Sequence, residues 1–273
     1  MRKQVMKKRY ETVVELIVVF IILFLLTYLI TYEYRKLALP STFTYSNSYV
    51  IYYIVSLVGI IILTSYIINF LYSKNKKAKY IPNLFLFIRA IIILSFFSIF
   101  LNIIISFALT LILLYYEKKS MILANFNNII IAAYVAATLG IIIGIGGTEL
   151  LLGIIAVYDF ISVYLTDHMI KLIKPFKERI EYLGIVLQAG SKREGKKTFR
   201  FLGLGDLAFS NILISSILFY TNLISLAFLE EIIAIFALTL IFFFGKKRRG
   251  HPAMAYIAPL QLLITNIILF FVI

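Results

Sequence analysis

The sequence predicts an all-α polytopic membrane protein with nine transmembrane helices, and three observations support this fold class. Hydrophobic residues make up 62% of the chain and the mean hydropathy is +0.98, whereas soluble domains are roughly half apolar. The apolar residues occur in runs of about 20, the length of a spanning helix. Lys and Arg are concentrated between these runs. Because nine spans occupy nearly all of the 273 residues, we expect a single membrane domain.

The basic residues predict which helix ends face the cytoplasm. With the N-terminus inside, the inner segments hold 24 of the 27 Lys and Arg residues. Arg35 and Lys36 then lie outside, and Arg89 lies within span 3 and is expected to extend to the inner surface. The positive-inside rule therefore predicts a cytoplasmic N-terminus and an outer C-terminus. The same bias explains the net charge of +14, so we expect a lipid bilayer and no nucleic acid as partner.

The residue types also exclude several kinds of chemistry. A chain without Cys has no disulfides, thiolate metal ligands or cysteine nucleophiles, and two His residues do not make a His-rich metal cluster. We therefore expect no metal and no cofactor. The basic segment Met1–Tyr10 resembles the start of a signal peptide, but the apolar run behind it is too long for one. We expect a retained first span in an integral membrane protein, located in the plasma membrane if the source is prokaryotic.

The first four spans form a predicted N-terminal scaffold, residues 1–120. Span 1 covers about Thr12–Thr31 and span 2 about Ser48–Tyr72. The apolar run 81–116 is 36 residues long, which corresponds to about 54 Å of helix. Because this is too long for one span, we divide it near 100–102 into spans 3 and 4.

The second part, residues 121–273, contains spans 5 to 9. A glycine-rich turn signal, residues 144–149, separates spans 5 and 6. A hydrophilic loop of about 167–200 follows, and its apolar patch 182–187 predicts a short strand or a segment on the membrane surface. Span 7 starts near Asp206.

The last two spans follow span 7. Span 8 is expected to run from about Glu230 to Phe244, and span 9 from Pro252 to Ile273. In this division Glu230 and Glu231 mark the outer end of span 8. The alternative is that they form an acidic pair within the membrane.

Two of the three Asp residues lie in or at the edge of apolar runs. Asp159 is about six to nine residues from the inner end of span 6, and Asp206 is in the first turn or two of span 7. At 1.5 Å per residue, both carboxylates lie roughly 10 Å below the inner surface. Consecutive antiparallel helices then bring them face to face. Ionisable residues at such positions are read as functional.

A pair of nearby carboxylates predicts peptide hydrolysis. One ionised group deprotonates the attacking water, while its protonated partner hydrogen-bonds the scissile carbonyl. Such a pair shares a proton and predicts a bell-shaped pH profile. The alternative from another class is a channel or proton-coupled transporter in which the carboxylates form a relay.

Gly203 and Gly205 flank Leu204 immediately before Asp206. They permit an extended, non-helical backbone, whose free edge can pair with an unwound substrate as an added strand. The alternative is that these glycines only permit close helix packing.

Three motifs resemble those of the presenilin and signal peptide peptidase family. Tyr158-Asp159 resembles the YD motif, and Gly203-Leu-Gly-Asp206 resembles the GxGD motif. The segment 251–259, His-Pro-Ala-Met-Ala-Tyr-Ile-Ala-Pro, is similar to the QPALLYxxP form, with Met254 in place of Leu and His251 in place of Gln. They occur in family order on spans 6, 7 and 9, which form the expected catalytic core.

The resemblance implies an intramembrane aspartyl endopeptidase, a prokaryotic (archaeal) presenilin homologue. It implies substrates that are transmembrane segments or signal-peptide remnants, with Asp159 and Asp206 as the catalytic pair. A prepilin-type peptidase also carries a GxGD aspartate and remains the alternative within this class, although the span 9 motif argues against it. The residues implied to shape the site and bind substrate are Tyr158, Gly203, Leu204, Gly205, Pro252, Ala253 and Met254.

Overall fold

Helices make up most of the computed structural model, which describes residues 2–37, 47–74, 80–164, 176, 179–193, 196–244 and 251–272. The all-α membrane fold is therefore confirmed, with the addition of one two-stranded sheet. The first four helices, which lie where spans 1 to 4 are predicted, are α1 (Arg2–Leu37), α2 (Asn47–Lys74), α3 (Tyr80–Phe100) and α4 (Ile103–Glu117).

Helices α3 and α4 form an antiparallel pair, as the length of their apolar run predicts. The side chain of Asn102 caps α4 by accepting the Ile104 N–H at 2.8 Å, which satisfies a free donor at the helix start. Arg89 of α3 forms an ion pair with Glu117 of α4, with 2.8 Å between Nη2 and Oε2. In a continuous helix these residues would lie about 42 Å apart, so the chain reverses between them.

The expectation that Arg89 extends to the inner surface is wrong. Arg89 is only 2% exposed. It turns inward because buried partners satisfy its charge and its hydrogen-bond donors: Glu117, Asn128 and the carbonyl oxygen of Tyr182.

The helical stretch Met121–Tyr164 is two helices joined at Gly144. Gly144 has φ 74° and ψ 175°, a conformation that L side chains rarely adopt. We label residues 121–143 α5 and residues 145–164 α6. The turn falls at the start of the segment where the sequence predicts a break between spans 5 and 6.

Contacts with the next helix, α7 (Leu204–Tyr220), show that α5 and α6 are antiparallel. Ser215 donates to the carbonyl oxygen of Ala137 in α5 at 3.1 Å, and its neighbour Ser216 lies 3.2 Å from Thr148 in α6, oxygen to oxygen. Ala137 and Thr148 therefore lie at the same level of α7, although they are separated by the turn at Gly144.

A short 3₁₀ helix, Ile180–Tyr182, and a β-hairpin precede α7. Strand β1 (Gly184–Arg193) pairs antiparallel with β2 (Lys196–Gly203), and Gly184 lies opposite Gly203. For the apolar patch 182–187 the sequence predicts either a short strand or a segment on the membrane surface, and the structure shows the strand. Of the predicted hydrophilic loop, residues 167–175, 177–178 and 194–195 lie outside the described residues, as do residues 165–166 before it.

The last two helices are α8 (Ile224–Phe244) and α9 (Met254–Val272). The expected start of span 8 near Glu230 is wrong, because α8 begins six residues earlier. Glu230 and Glu231 lie inside the helix and are 0% and 2% exposed. The acidic pair within the membrane helix, the alternative considered from the sequence, is the observed arrangement. Polar side chains of α7 and α9 lie against it.

The lengths and surfaces of the helices fit a membrane protein. Within the described residues, five helical stretches are long and apolar enough to cross a membrane, one of which is Met121–Tyr164, and α4 and α7 are shorter apolar helices. Large apolar side chains such as Ile104 and Phe270 are strongly exposed, as expected of lipid-facing positions. The buried core contains residues from both predicted parts of the chain, including Phe20 of α1 and Leu213 of α7.

Candidate active site

Asp159 lies in α6 and faces the protein interior. It is 6% exposed, and its Oδ2 accepts the backbone N–H of Met254 at 3.0 Å. Met254 is the first residue of α9, and the unpaired N–H groups at a helix N-terminus favour a negative charge. The first turn of α9 therefore stabilises the Asp159 carboxylate in the buried interior.

Asp206 lies in the first turn of α7, immediately after strand β2. Its Oδ2 accepts the N–H of Gly203 at 3.2 Å, across the point where strand becomes helix. A Cβ atom at Gly203 would lie 3.0 Å from this Oδ2. The absence of a side chain at Gly203 therefore leaves room for the carboxylate to fold back over the backbone.

The packing of α6 against α7 brings the two Asp residues together. The two helices are antiparallel, with Thr148 next to Ser216 toward the opposite end. Asp159 lies 11 residues after Thr148 and Asp206 lies 10 residues before Ser216, so both carboxylates are at the same level. Asp206 is close enough to Asp159 to interact with it electrostatically.

The segment before α9 supplies the third wall of the site. Pro252, Ala253 and Met254 are all buried, and the carbonyl oxygen of Ala253 accepts the N–H of Ile257 at 3.0 Å as the helix begins. Because Pro252 has no N–H and precedes the first turn, it suits the start of a helix. The structure thus brings the segments carrying all three sequence motifs to one end of α6, α7 and α9.

The other predicted site residues differ in their surroundings. Tyr158 and Leu204 are half-buried, whereas Gly205 is exposed. The extended backbone predicted through Gly205 ends earlier, at Gly203, because α7 begins at Leu204. The proximity of the Tyr158 hydroxyl to the carboxylates stays a prediction.

Sequence reasoning considered Glu230 and Glu231 as a buried pair but missed their polar neighbours, which form a cluster with them between α7, α8 and α9. Gln261 donates to the carbonyl oxygen of Ser210 at 3.0 Å, and Thr265 donates to Glu230 Oε1 at 2.7 Å. Asn211 lies beside Glu231, yet the geometry gives neither Glu231 oxygen a hydrogen bond within the described residues. The available signal was the spacing of Gln261 and Thr265, which places both on one face of α9.

A second polar cluster was also missed, and it joins α3, α4 and α5. Three asparagines, Asn125, Asn127 and Asn128, occur within the apolar sequence of α5, and each makes a hydrogen bond. Their occurrence inside a spanning run is a signal that sequence analysis can use, since polar residues in such runs tend to face other protein segments. In the described part of the chain, no group of three or more His, Cys, Asp or Glu residues is arranged to hold a metal ion.

The fold and the site together define an integral membrane protein with a pair of aspartates embedded between its helices. A family model described as "Signal-peptide peptidase, presenilin aspartyl protease" matches residues 8–271. The chain therefore belongs to this family, whose members are intramembrane aspartyl peptidases, and the sequence-based assignment to the family is confirmed. A search of individually curated proteins finds no match.

Proposed function

We propose that this protein is an intramembrane aspartyl endopeptidase that cleaves transmembrane segments or signal-peptide remnants, with Asp159 and Asp206 as its catalytic pair. One observation carries the proposal: α6 and α7 bring two otherwise isolated acidic side chains to the same level of the helix bundle. Family membership supports the peptidase activity. The proposed mechanism needs no metal or cofactor.

In the proposed reaction, one carboxylate is ionised and the other is protonated. The ionised carboxylate takes a proton from water while the water oxygen bonds to the scissile carbonyl carbon, and the protonated carboxyl group hydrogen-bonds the carbonyl oxygen and transfers its proton to it. The resulting tetrahedral diol then collapses: the carboxyl group that took the proton from water gives it to the leaving nitrogen, the other carboxylate takes a proton from a diol hydroxyl, and the C–N bond breaks. The products are a carboxylic acid and an amine.

The geometry supports assigning the ionised role to Asp159. Its carboxylate interacts with two backbone N–H groups in the first turn of α9, those of Met254 at 3.0 Å and of Ala255, whereas the Asp206 carboxylate accepts only the Gly203 N–H, at 3.2 Å. A helix N-terminus stabilises a negative charge. Asp206 then starts the reaction as the protonated partner.

The residues around the pair are proposed to bind the substrate. Strand β2 leads directly into α7, and an unwound substrate can add a strand to its backbone edge next to the carboxylates. On β1, by contrast, the edge at Val186 is occupied, because Asn125 bonds both its N–H and its carbonyl oxygen at 3.0 Å. The residues proposed to shape the site are Tyr158, Gly203, Leu204, Gly205, Pro252, Ala253 and Met254.

We further propose that all nine helical segments span the membrane, with the N-terminus in the cytoplasm and the C-terminus outside, and that in a prokaryotic source this is the plasma membrane. The distribution of Lys and Arg supports this orientation. With this orientation, Asp159 and Asp206 lie near the cytoplasmic side.

Incubation of the purified protein with a labelled single-span peptide tests the proposal. Wild type should cleave the peptide, and a small transition-state mimic of aspartic proteases should inhibit the cleavage. Asp159→Asn and Asp206→Asn should each lower kcat by at least about 10³-fold, since either change removes a group on which the other depends. Asp167→Asn, at the third Asp of the chain, is the matched control and should keep its activity.

Two results would reject the proposal. One is cleavage that persists in either Asp variant. The other is cation flux in proteoliposomes without any cleavage, which would favour the relay function instead.

A further inference from the structure

Three asparagines of α5 make hydrogen bonds to different parts of the protein, although they lie within a stretch of four residues: Asn125, Asn127 and Asn128. Asn128 donates to the carbonyl oxygens of Glu181 and Gly184, both at 2.7 Å. Asn125, one turn earlier, bonds both backbone groups of Val186. Asn127 instead donates to Glu117 at 2.7 Å. Two of the three therefore hydrogen-bond to the base of the β-hairpin, while the third donates to the buried ion pair of Glu117 and Arg89.

The orientation of the Asn128 amide is set by its partners. Arg89 donates to Asn128 Oδ1, and the two backbone carbonyls that contact Nδ2 can only accept. Arg89 is held by Glu117 and is 2% exposed. Asn128 is itself 0% exposed, so its side chain is fixed by packing. Its two hydrogen bonds therefore hold the backbone at 181–184 in position against α5.

The backbone held by Asn128 is in direct contact with the strand that carries Asp206. Leu204 donates its N–H to the carbonyl oxygen of Leu183 at 2.8 Å, and Gly184 pairs with Gly203. The approach is close, since a Cβ atom at Gly184 would lie 2.0 Å from the carbonyl oxygen of Leu202. Gly203 in turn donates to Asp206 Oδ2. A short series of hydrogen bonds and strand pairs therefore links Asn128 to Asp206.

We propose that Asn128, oriented by Arg89, is a positioning residue for Asp206 that acts through the base of the β-hairpin. Loss of its two donated hydrogen bonds frees residues 181–184 from α5, and residues 203–204 then lose their fixed partner. The Asp206 carboxylate moves away from its place opposite Asp159. A displacement of about 1 Å at a reacting group can lower turnover by about 10²-fold. The enzymatic part of this inference rests on the proposed function.

The test uses two substitutions of Asn128 and one matched control. Asn128→Ala removes the side chain, and Asn128→Asp keeps its shape and its contact with Arg89 but cannot donate to the two carbonyls. The control is Asn127→Ala, which changes the same residue type in the same helix, also 0% exposed, without contact to the hairpin. All are compared as full-length proteins in detergent.

Activity and inhibitor binding give the first readout. Both Asn128 variants should lower kcat at least 10-fold. They should weaken binding of a small transition-state mimic, which contacts the carboxylates but not the strands, by a similar factor. Asn127→Ala should keep kcat and inhibitor affinity within about threefold of wild type. Wild-type values in both Asn128 variants would overturn the inference and leave the proposed function intact, as would equal losses in the Asn127 control.

Amide hydrogen exchange gives a second readout that does not depend on activity. The N–H of Leu204 should exchange at least 10-fold faster in both Asn128 variants than in wild type, because its acceptor, the Leu183 carbonyl, is no longer fixed. The exchange rate of the Leu204 N–H should be unchanged in Asn127→Ala. Unchanged exchange in Asn128→Asp would overturn the inference even if the wild-type protein cleaved no peptide. If Asn128→Ala does not fold, the isosteric Asn128→Asp variant provides the result.

Discussion

The two aspartates are held by backbone groups, and this is the residue-scale feature that most affects the proposed chemistry. Asp159 accepts from Met254 and Asp206 accepts from Gly203. Neither forms an ion pair with a described Lys or Arg. A backbone donor neutralises less charge than a cation, so each carboxylate remains able to exchange a proton.

The Met254 N–H can be removed separately from the Met254 side chain. In Met254→Pro the N–H is lost, and proline is tolerated in the first turn of a helix. A hydrogen bond to a charged group contributes about 1.5–3 kcal/mol, so kcat should fall about 10- to 100-fold. Met254→Ala removes the side chain but keeps the N–H and is the control. Steady-state cleavage of the single-span peptide measures both, and equal activity of the two variants would show that this donor is not needed.

Glu231 is a buried acidic residue whose effect on stability can be measured separately from any effect on peptide cleavage. Both of its oxygens are buried without a hydrogen bond within the described residues, and an unpaired carboxylate in an apolar interior is unfavourable. Glu231→Gln keeps the shape of the side chain but removes the ionisable carboxyl group, so the free energy of unfolding should stay unchanged or rise by up to about 2 kcal/mol. Thermal unfolding in detergent measures this.

Peptide cleavage by the same Glu231→Gln protein should remain within about twofold of wild type. Glu149→Gln is the control, since Glu149 is only half-buried and its Oε1 accepts a hydrogen bond from Asn266. If Glu231→Gln destroyed cleavage without lowering stability, this carboxylate would have to be added to the catalytic machinery.

At the scale of elements, the central contact is the packing of α5 and α6 against α7. A Cβ atom at Gly140 of α5 would lie 2.4 Å from the carbonyl oxygen of Ile212 in α7. The backbones therefore approach as closely as a glycine allows, which is a known means of association for helices in membranes. In α6, by contrast, a Cβ atom at Gly153 would meet nothing within 4 Å.

These two glycines form a matched pair for the same substitution. Gly140→Ala should lower the free energy of unfolding by about 1–3 kcal/mol, because α7 must move to admit the methyl group. Gly153→Ala should leave stability unchanged or raise it by up to about 1 kcal/mol, since alanine favours the helix. Thermal unfolding of the two purified variants measures the difference. Similar values for both would mean that α5 and α7 are not in close contact.

The boundaries of the elements illustrate which local signals the sequence carries. The break between α3 and α4 was predicted from the length of the apolar run, and the turn at Gly144 from a glycine-rich segment. The predicted start of span 8 is wrong because it depends on Glu230 and Glu231 lying at the membrane surface, whereas both are buried within α8. The buried carboxylate of Glu230 is stabilised by Thr265 of α9, whose hydroxyl donates to Glu230 Oε1 at 2.7 Å. A single-sequence pattern does not reveal which helix brings such a partner.

At the scale of the whole molecule, the main prediction is the orientation in the membrane. A chain without Cys is suited to labelling of single introduced cysteines. Lys8→Cys and Lys76→Cys, in basic segments expected inside, should be protected from a membrane-impermeant maleimide in intact cells. Ser41→Cys, in the segment between spans 1 and 2, should be labelled. The opposite pattern would reverse the proposed topology and place outside the end of α6 and α7 that carries Asp159 and Asp206.

The sequence by itself determined the membrane class, most helix boundaries, the family and the two candidate Asp residues. It could do so because hydrophobic length, charge distribution and short motifs are properties of neighbouring residues in the chain. The common level of Asp159 and Asp206 along α6 and α7 also followed, since it depends only on their positions in two consecutive antiparallel helices.

Only the tertiary structure decided which side chains meet. The rotation and crossing of the helices place Glu117 against Arg89, Glu231 beside Asn211, and Asn128 under the β-hairpin. In a chain this apolar, almost any face of a helix can contact lipid or protein, so the hydrophobic pattern does not specify the buried face. Close packing at positions such as Gly140 selects that face, and close packing exists only in the folded protein.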